Sequence, residues 1–247
     1  MKRTFVKRAA PQARLAAEAD GLAALRVTET VRVPGTIALD HDTLALEWLE
    51  LRPLDGRSGA ALGAALAALH RAPAGARFGW HADNYIGATP QENAWCASWP
   101  AFFRERRLRP QLELAGRQGY RGALQRDGER LLARVDALLA RHAPAPSLLH
   151  GDLWGGNAGA LPDGTPVVFD PAVYVGDREA DLAMTELFGG FPESFHAAYR
   201  ATWPLPEGYA LRRELYNLYH LLNHLNLFGT GYLNRCERAL SRLLGSA

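Results

Sequence analysis

Cysteine is scarce: Cys96 and Cys236 are the two in 247 residues, and neither stands in a CxxC or Cys/His spacing. That argues against a zinc site or a disulfide framework and fits a reducing compartment. Cys96, set among tryptophans, is expected to be a buried packing residue. Long apolar runs are missing as well. The longest uncharged one, Ala60 to Leu69, is about half of what a spanning helix needs, so no membrane segment is predicted. Charge of one sign is not in excess. The formal net charge is +2 and no basic run is interleaved with aromatics, which argues against nucleic acid as a partner. The start MKRTFVKRAA is basic like a signal peptide, but Glu18 and Asp20 break the apolar stretch that should follow, and the chain is predicted to be cytoplasmic. Lysine is rare too, with two against 26 arginines, so Lys7 stands out from its surroundings.

With 48% hydrophobic residues, the chain can bury a sizeable core. RTFVKRA alternates like a strand, and PQARLAAEADGLAAL after it has helical period with Leu15, Leu22 and Leu25 on the apolar side. VRVPGTIAL and TLALEWLEL read as strands around the acidic turn DHD. Residues 51–58, with Pro53 and Gly56, read as a linker, and Ser58 is placed to cap a helix carrying Leu62, Leu66 and Leu69 on one face. From there the pattern is mostly helical, and RLLARVDALLARHA reads as one amphipathic helix ending before Pro144. This predicts an α+β chain with a β-rich part over residues 1–50 and a helical part over residues 51–247.

The stretch LLHGDLWGGNAG contains H-x-D-L-x-x-x-N, from His150 through Asp152 and Leu153 to Asn157, the spacing of a kinase catalytic loop. Asp152 can accept a hydrogen bond from a substrate hydroxyl, and Asn157 can turn back to offer its amide oxygen to Mg²⁺. Pro162, Asp163 and Gly164 signal a turn between two short strands, which brings Asp170 of VVFDP beside them as a second metal ligand. His150 reads as a hydrogen-bonded structural residue. Lys7 and Glu18, on a strand and the helix after it, can form an ion pair that holds the lysine toward nucleotide phosphates. Glu47 and Leu49, in LALEWLEL, lie where a hinge presents backbone groups to an adenine ring. Asp177 is placed to cap a helix through Ala180 to Leu187, leaving no room for a regulated activation segment, so the acceptor is expected to be a small molecule.

These residues, with FDPAVYVGDREADLAMTELFGGF, FGWHADNYIGATPQENAWCASWPAFFRERRL and LYHLLNHLNLFGTGYL, resemble the fructosamine (ketosamine) kinase family, within the protein-kinase-like superfamily that also holds aminoglycoside and choline kinases. The resemblance implies a two-lobed kinase fold, ATP as donor, Mg²⁺, and a ketosamine phosphorylated at its third-carbon hydroxyl, a deglycation repair activity. It implies Asp152 as base, Asn157 and Asp170 as metal ligands, and Lys7 with Glu18 as the phosphate lysine and its partner. It also implies Asp181 as a brace beneath the catalytic loop, and Trp154 and His224 as walls of the substrate pocket. Asn217, His220 and His224 form a polar stripe on one apolar helix. The chain departs from the pattern near its start. A Gly-rich loop needs two strands and a turn before Lys7, on the order of 15 residues, and six precede it, so the small lobe is expected to lack its first hairpin. Two other readings compete: a non-catalytic kinase-like protein, and an aminoglycoside or choline type of small-molecule kinase.

Overall fold

A computed structural model describes residues 3–8 and 12–245. The first part is a three-stranded antiparallel sheet of β1 (Thr4–Arg8), β2 (Thr36–Leu39) and β3 (Thr43–Glu47), in the order β1-β3-β2. Helix α1 (Gln12–Val27) packs against it through Leu15, Leu22 and Leu25, the apolar side that the period marks. Strand β3 buries Leu44 and Leu46 and pairs Lys7 of β1 with Leu44. The extended stretch at 31–39 is mostly loop, and only its last four residues form β2.

Helix α2 (Gly56–Arg71) begins at an N-cap that is Asp55 and not Ser58. The Asp55 carboxylate accepts from the Ser58 amide at 2.7 Å, and the Ser58 hydroxyl accepts from the Asp55 amide at 2.9 Å, so serine occupies the third position of a capping box. These hydrogen bonds hold the exposed Asp55 carboxyl below its ordinary range. A hairpin of β4 (Asn84–Ile86) and β5 (Thr89–Gln91) follows, then α3 (Trp99–Phe103), a π-helical turn over Arg104–Leu108 and α4 (Arg109–Arg117). Cys96 is half-buried, not enclosed, its Sγ facing the Ser98 carbonyl at 3.3 Å, whereas Cys236 is buried.

RLLARVDALLARHA does not form one helix. It divides into the end of α5 (Ala123–Leu132) and the short α6 (Val135–Leu138), with a turn at Ala133 and Arg134. The break lets Leu131, Leu132, Val135 and Leu139 all reach the core, while Arg134 donates to the Leu244 carbonyl at 2.8 Å. Strand β6 (Pro146–Leu149) pairs with β9 (Tyr174–Asp177), and β7 (Ala158–Ala160) with β8 (Pro166–Val168) around the 162–164 turn. The last helices are α7 (Glu179–Leu187), α8 (Glu193–Thr202), α9 (Tyr209–Phe228) and α10 (Leu233–Gly245). The residue capping α7 is Arg178. Asp177 accepts from the Glu179 amide at 3.0 Å, and its other oxygen takes the Tyr216 hydroxyl at 2.6 Å and faces His142 at 2.6 Å.

One apolar cluster runs from Leu15, Leu25 and Leu46 into Leu62, Leu66, Val168 and Phe195, and a second centres on Trp99, Phe103, Tyr216 and Leu222. The β7–β8 hairpin is stitched to the linker by backbone bonds between Arg52 and Ala160, both at 2.9 Å, and to the N-terminal part by one from the Val168 amide to the Arg32 carbonyl at 3.0 Å.

Candidate active site

The loop after β6 is held from inside. Asp181 of α7 accepts the backbone N–H groups of His150 at 2.7 Å and Gly151 at 2.8 Å, and its carboxylate also meets His70 Nε2 at 3.1 Å. Burial works to raise this carboxyl, but the hydrogen bond and charge of His70 and the amide donors hold it below its ordinary value. Gly151 has φ +84°, and a Cβ there would lie 2.0 Å from the Ala172 carbonyl oxygen, so the loop closes only with glycine.

His150 is fully buried, and burial pushes its imidazole down toward the neutral form. Its Nδ1 accepts from the Asp152 amide at 3.3 Å and its Nε2 donates to the Phe169 carbonyl at 3.0 Å. The ring therefore ties the Asp152 loop to the residue before Asp170, a structural role. Asn157 donates from Nδ2 to the Asp152 backbone oxygen at 2.9 Å and to its carboxylate at 3.3 Å. Its Oδ1 has no protein donor among the described residues. Burial, and next the charge of Asp181, raise the Asp152 carboxyl to about 7, against the lowering effect of Asn157.

Asp170 sits at φ +55°, a conformation unusual for a residue with a side chain and one that strained functional loops adopt. Its carboxylate forms an ion pair with Lys7, whose Nζ also meets Glu18 at 2.7 Å. Lys7, Glu18, Asp152, Trp154, Asn157 and Asp170 all line one cleft of about 540 Å³. A second cavity of about 250 Å³ shares Lys7 and Asp170 and is otherwise walled by Pro34, Leu46, Glu47, Leu49 and Phe169 with Phe5 and Trp48. It is mostly apolar. The Glu47 carboxylate accepts from Arg32 at 2.5 Å and from the Gly35 amide at 3.0 Å. Asn157 Oδ1 and the Asp170 carboxylate are hard oxygen donors of the kind Mg²⁺ takes, so the residues present fit that ion.

Trp154 lines the cleft, and His224 does not. Phe188 stands between them, its ring 6.4 Å from Trp154 and 4.6 Å from His224, and the His224 Nδ1 donates to the His220 carbonyl at 2.8 Å. Burial lowers both histidines, His220 to about 3, so both rings are neutral near pH 7. Asn217 and His220 are buried in the same helix.

Four supporting residues were invisible by spacing. His70, which also meets the Tyr199 hydroxyl at 2.8 Å, lies 111 residues from Asp181. Its place on the Leu62–Leu66 face of α2 is the one signal that could have flagged it. Asn84 and Gln91 of the β4–β5 hairpin donate to the Val173 and Ala172 carbonyls at 2.7 and 3.2 Å, fixing the chain just past Asp170. Phe188 carried no signal at all.

The chain matches the family model described as fructosamine kinase over residues 1–246. It is 49% identical over 232 residues to a "Probable ketoamine kinase" of Synechocystis, spanning 92% of this chain and 78% of that one. To the Arabidopsis thaliana "Protein-ribulosamine 3-kinase, chloroplastic" it is 42% identical over 221 residues, 87% of this chain and 67% of the other. The crystal structure of a candidate fructosamine-3-kinase from Thermobifida fusca superposes with a TM-score of 0.91 at 36% identity, covering 99% of this chain and 86% of that one. Choline kinase LicA of Streptococcus pneumoniae superposes at 0.71 with 15% identity over 99% and 86%, a likeness of fold alone. The architecture is thus α+β, protein-kinase-like and two-lobed.

Proposed function

The chain belongs to the fructosamine kinase family, and from that we propose that it transfers the γ-phosphoryl group of Mg²⁺-ATP to the third-carbon hydroxyl of a ketosamine. The observation that carries this reading is the convergence of Lys7, Asp152, Asn157 and Asp170 on one cleft beside an apolar slot. In it, residues 1–50 form the nucleotide-covering lobe and residues 51–247 the lobe that holds the acceptor. The backbone near Glu47 and Leu49 would meet the adenine, Lys7 with Glu18 would meet the phosphates, and Asn157 and Asp170 would hold Mg²⁺, which would supply charge neutralisation at the phosphates.

Asp152 then accepts the proton of the acceptor hydroxyl as its oxygen bonds to the γ-phosphorus and the bond to the ADP oxygen breaks. The Asp152 carboxyl, raised to about 7 by burial and the charge of Asp181, works as a base in its ionised form. Trp154 covers one side of the sugar, with Phe188 behind it and His224 behind Phe188, so His224 shapes the pocket through that ring. A cleft narrowed by an indole favours ribulose-amine or erythrulose-amine adducts over fructose-amine ones, while the amine substituent projects outward and permits a protein-bound substrate. Loss of a proton from the first carbon of the product gives an enaminol, which expels phosphate from the third carbon. Hydrolysis then frees the amine, a repair of glycated amines.

The chain supplied with Mg²⁺-ATP and, in parallel, ribulose-lysine, fructose-lysine, kanamycin and choline should release ADP with the two ketosamines, ribulose-lysine faster. Phosphorus NMR should show a sugar phosphate giving way to inorganic phosphate. Turnover of kanamycin or choline with neither ketosamine would overturn the reading.

A further inference from the structure

The C-terminal end of α7 and the facing sides of α9 and α10 enclose a separate cavity of about 380 Å³. On α9 the residues Arg213, Asn217 and Leu221 recur every fourth position. On α10 Arg235, Arg238 and Arg242 recur at three and four, so both rows face the same groove. None of them lines the cleft of Lys7, Asp152 and Asp170.

Among the described residues that line this groove, Glu186 pairs with Arg213 at 2.5 Å and Glu214 with Arg242 at 2.8 Å, and neither carboxylate is paired with Arg235 or Arg238. Arg235 lies over the Phe188 ring at 5.3 Å and only just reaches the Leu187 carbonyl at 3.5 Å. Arg238 has no ion pair or hydrogen bond to the described residues and is exposed on the groove side. Between the rows stands Asn217, 8% exposed, whose Oδ1 is buried with no hydrogen-bond partner among the described residues. A buried carbonyl oxygen left unpaired is rare and costly, and points to a donor that arrives from outside.

We propose that this groove binds a phosphate dianion that also offers a hydroxyl. The two guanidinium groups left out of those pairs match two negative charges, and the planar forks of Arg235 and Arg238 suit the oxygens of a phosphate. The hydroxyl donates to Asn217 Oδ1. Inorganic monohydrogen phosphate and a sugar phosphate share this chemistry and differ in where the hydroxyl sits.

Calorimetric titration of the full chain with inorganic phosphate and, separately, ribose 5-phosphate should show saturable one-to-one binding. Arg238→Ala, an exposed change that leaves the core intact, should weaken it by about tenfold or more. Lys7→Ala, which removes the lysine of the other cleft, should leave it unchanged. Tighter binding of ribose 5-phosphate that Asn217→Ala reduces to the level of inorganic phosphate assigns the hydroxyl to the sugar. Equal binding of the two, weakened alike by Asn217→Ala, assigns it to phosphate itself. The proposal is overturned if neither probe binds saturably at millimolar concentration, if Arg238→Ala keeps full affinity, or if Lys7→Ala abolishes binding.

Discussion

Asp152 is pulled between stability and chemistry. Its carboxyl is nearly enclosed, and the folded chain prefers it protonated up to about pH 7, whereas the unfolded chain loses that proton near 3.8. Between these values the folded state binds the extra proton, so raising the pH across the window costs stability. Asp152→Asn keeps the shape and removes the ionisation. It should melt with the wild type at about pH 4 and at a higher temperature near pH 8, as a pH series of thermal melts would show. The same change should lower turnover by about two to four orders of magnitude and erase a rise of kcat/KM with pH through roughly 7 that the free enzyme should show. This residue was legible because H-x-D-L-x-x-x-N has a fixed spacing along the chain. What sets its proton affinity was not, since burial by the folded chain and the charge of Asp181, 29 residues on, belong to no local pattern.

At the scale of elements, the loop after β6 that carries Asp152 is a shape imposed by α2 and α7. Asp181→Ala would leave the His150 and Gly151 amides and His70 facing an empty site, and breaking a buried, hydrogen-bonded pair of this kind costs about 3–5 kcal/mol. Urea denaturation should show a lower midpoint with an unchanged slope. Because Asp181 is held below its ordinary range, the stability it supplies is present above the unfolded carboxyl's pKa and fades as the pH falls through the folded one. In the sequence, period and turn chemistry placed α1, the β7–β8 turn and the helical rows correctly. They failed where tertiary packing overrides local preference. The 130–143 run bends so that both halves bury their leucines, and α2 starts at Asp55 because a capping box uses serine one turn inside. The bend cannot be read from one helix in isolation, whereas the capping box is a local pattern of Asp55 and Ser58 three residues apart.

For the whole molecule, the continuity of the core matters more than the boundary between lobes. The sheet and α1 do not have an apolar centre of their own: Leu25, Val33 and Leu46 belong to the cluster that holds Leu66 and Phe195 of the helical part. Helices α2 and α8 approach so closely that a Cβ at Gly63 would sit 2.2 Å from the Phe195 carbonyl oxygen. Heating should therefore give one transition, the same by circular dichroism and by calorimetry. Lys7 bridges the sheet to Asp170, but with side chains 22% and 43% exposed the pair adds little stability in water. In the proposed function its value is to the nucleotide. Mg²⁺-ATP should raise the melting temperature according to the ratio of its concentration to its dissociation constant, and Lys7→Ala should shrink that rise while leaving the ligand-free melt almost where it was. A ligand-free melt that falls sharply in Lys7→Ala would instead make the lysine a structural tie between the lobes. Two separate transitions, the first delayed by nucleotide, would mean that the sheet can come away while the helical core stands.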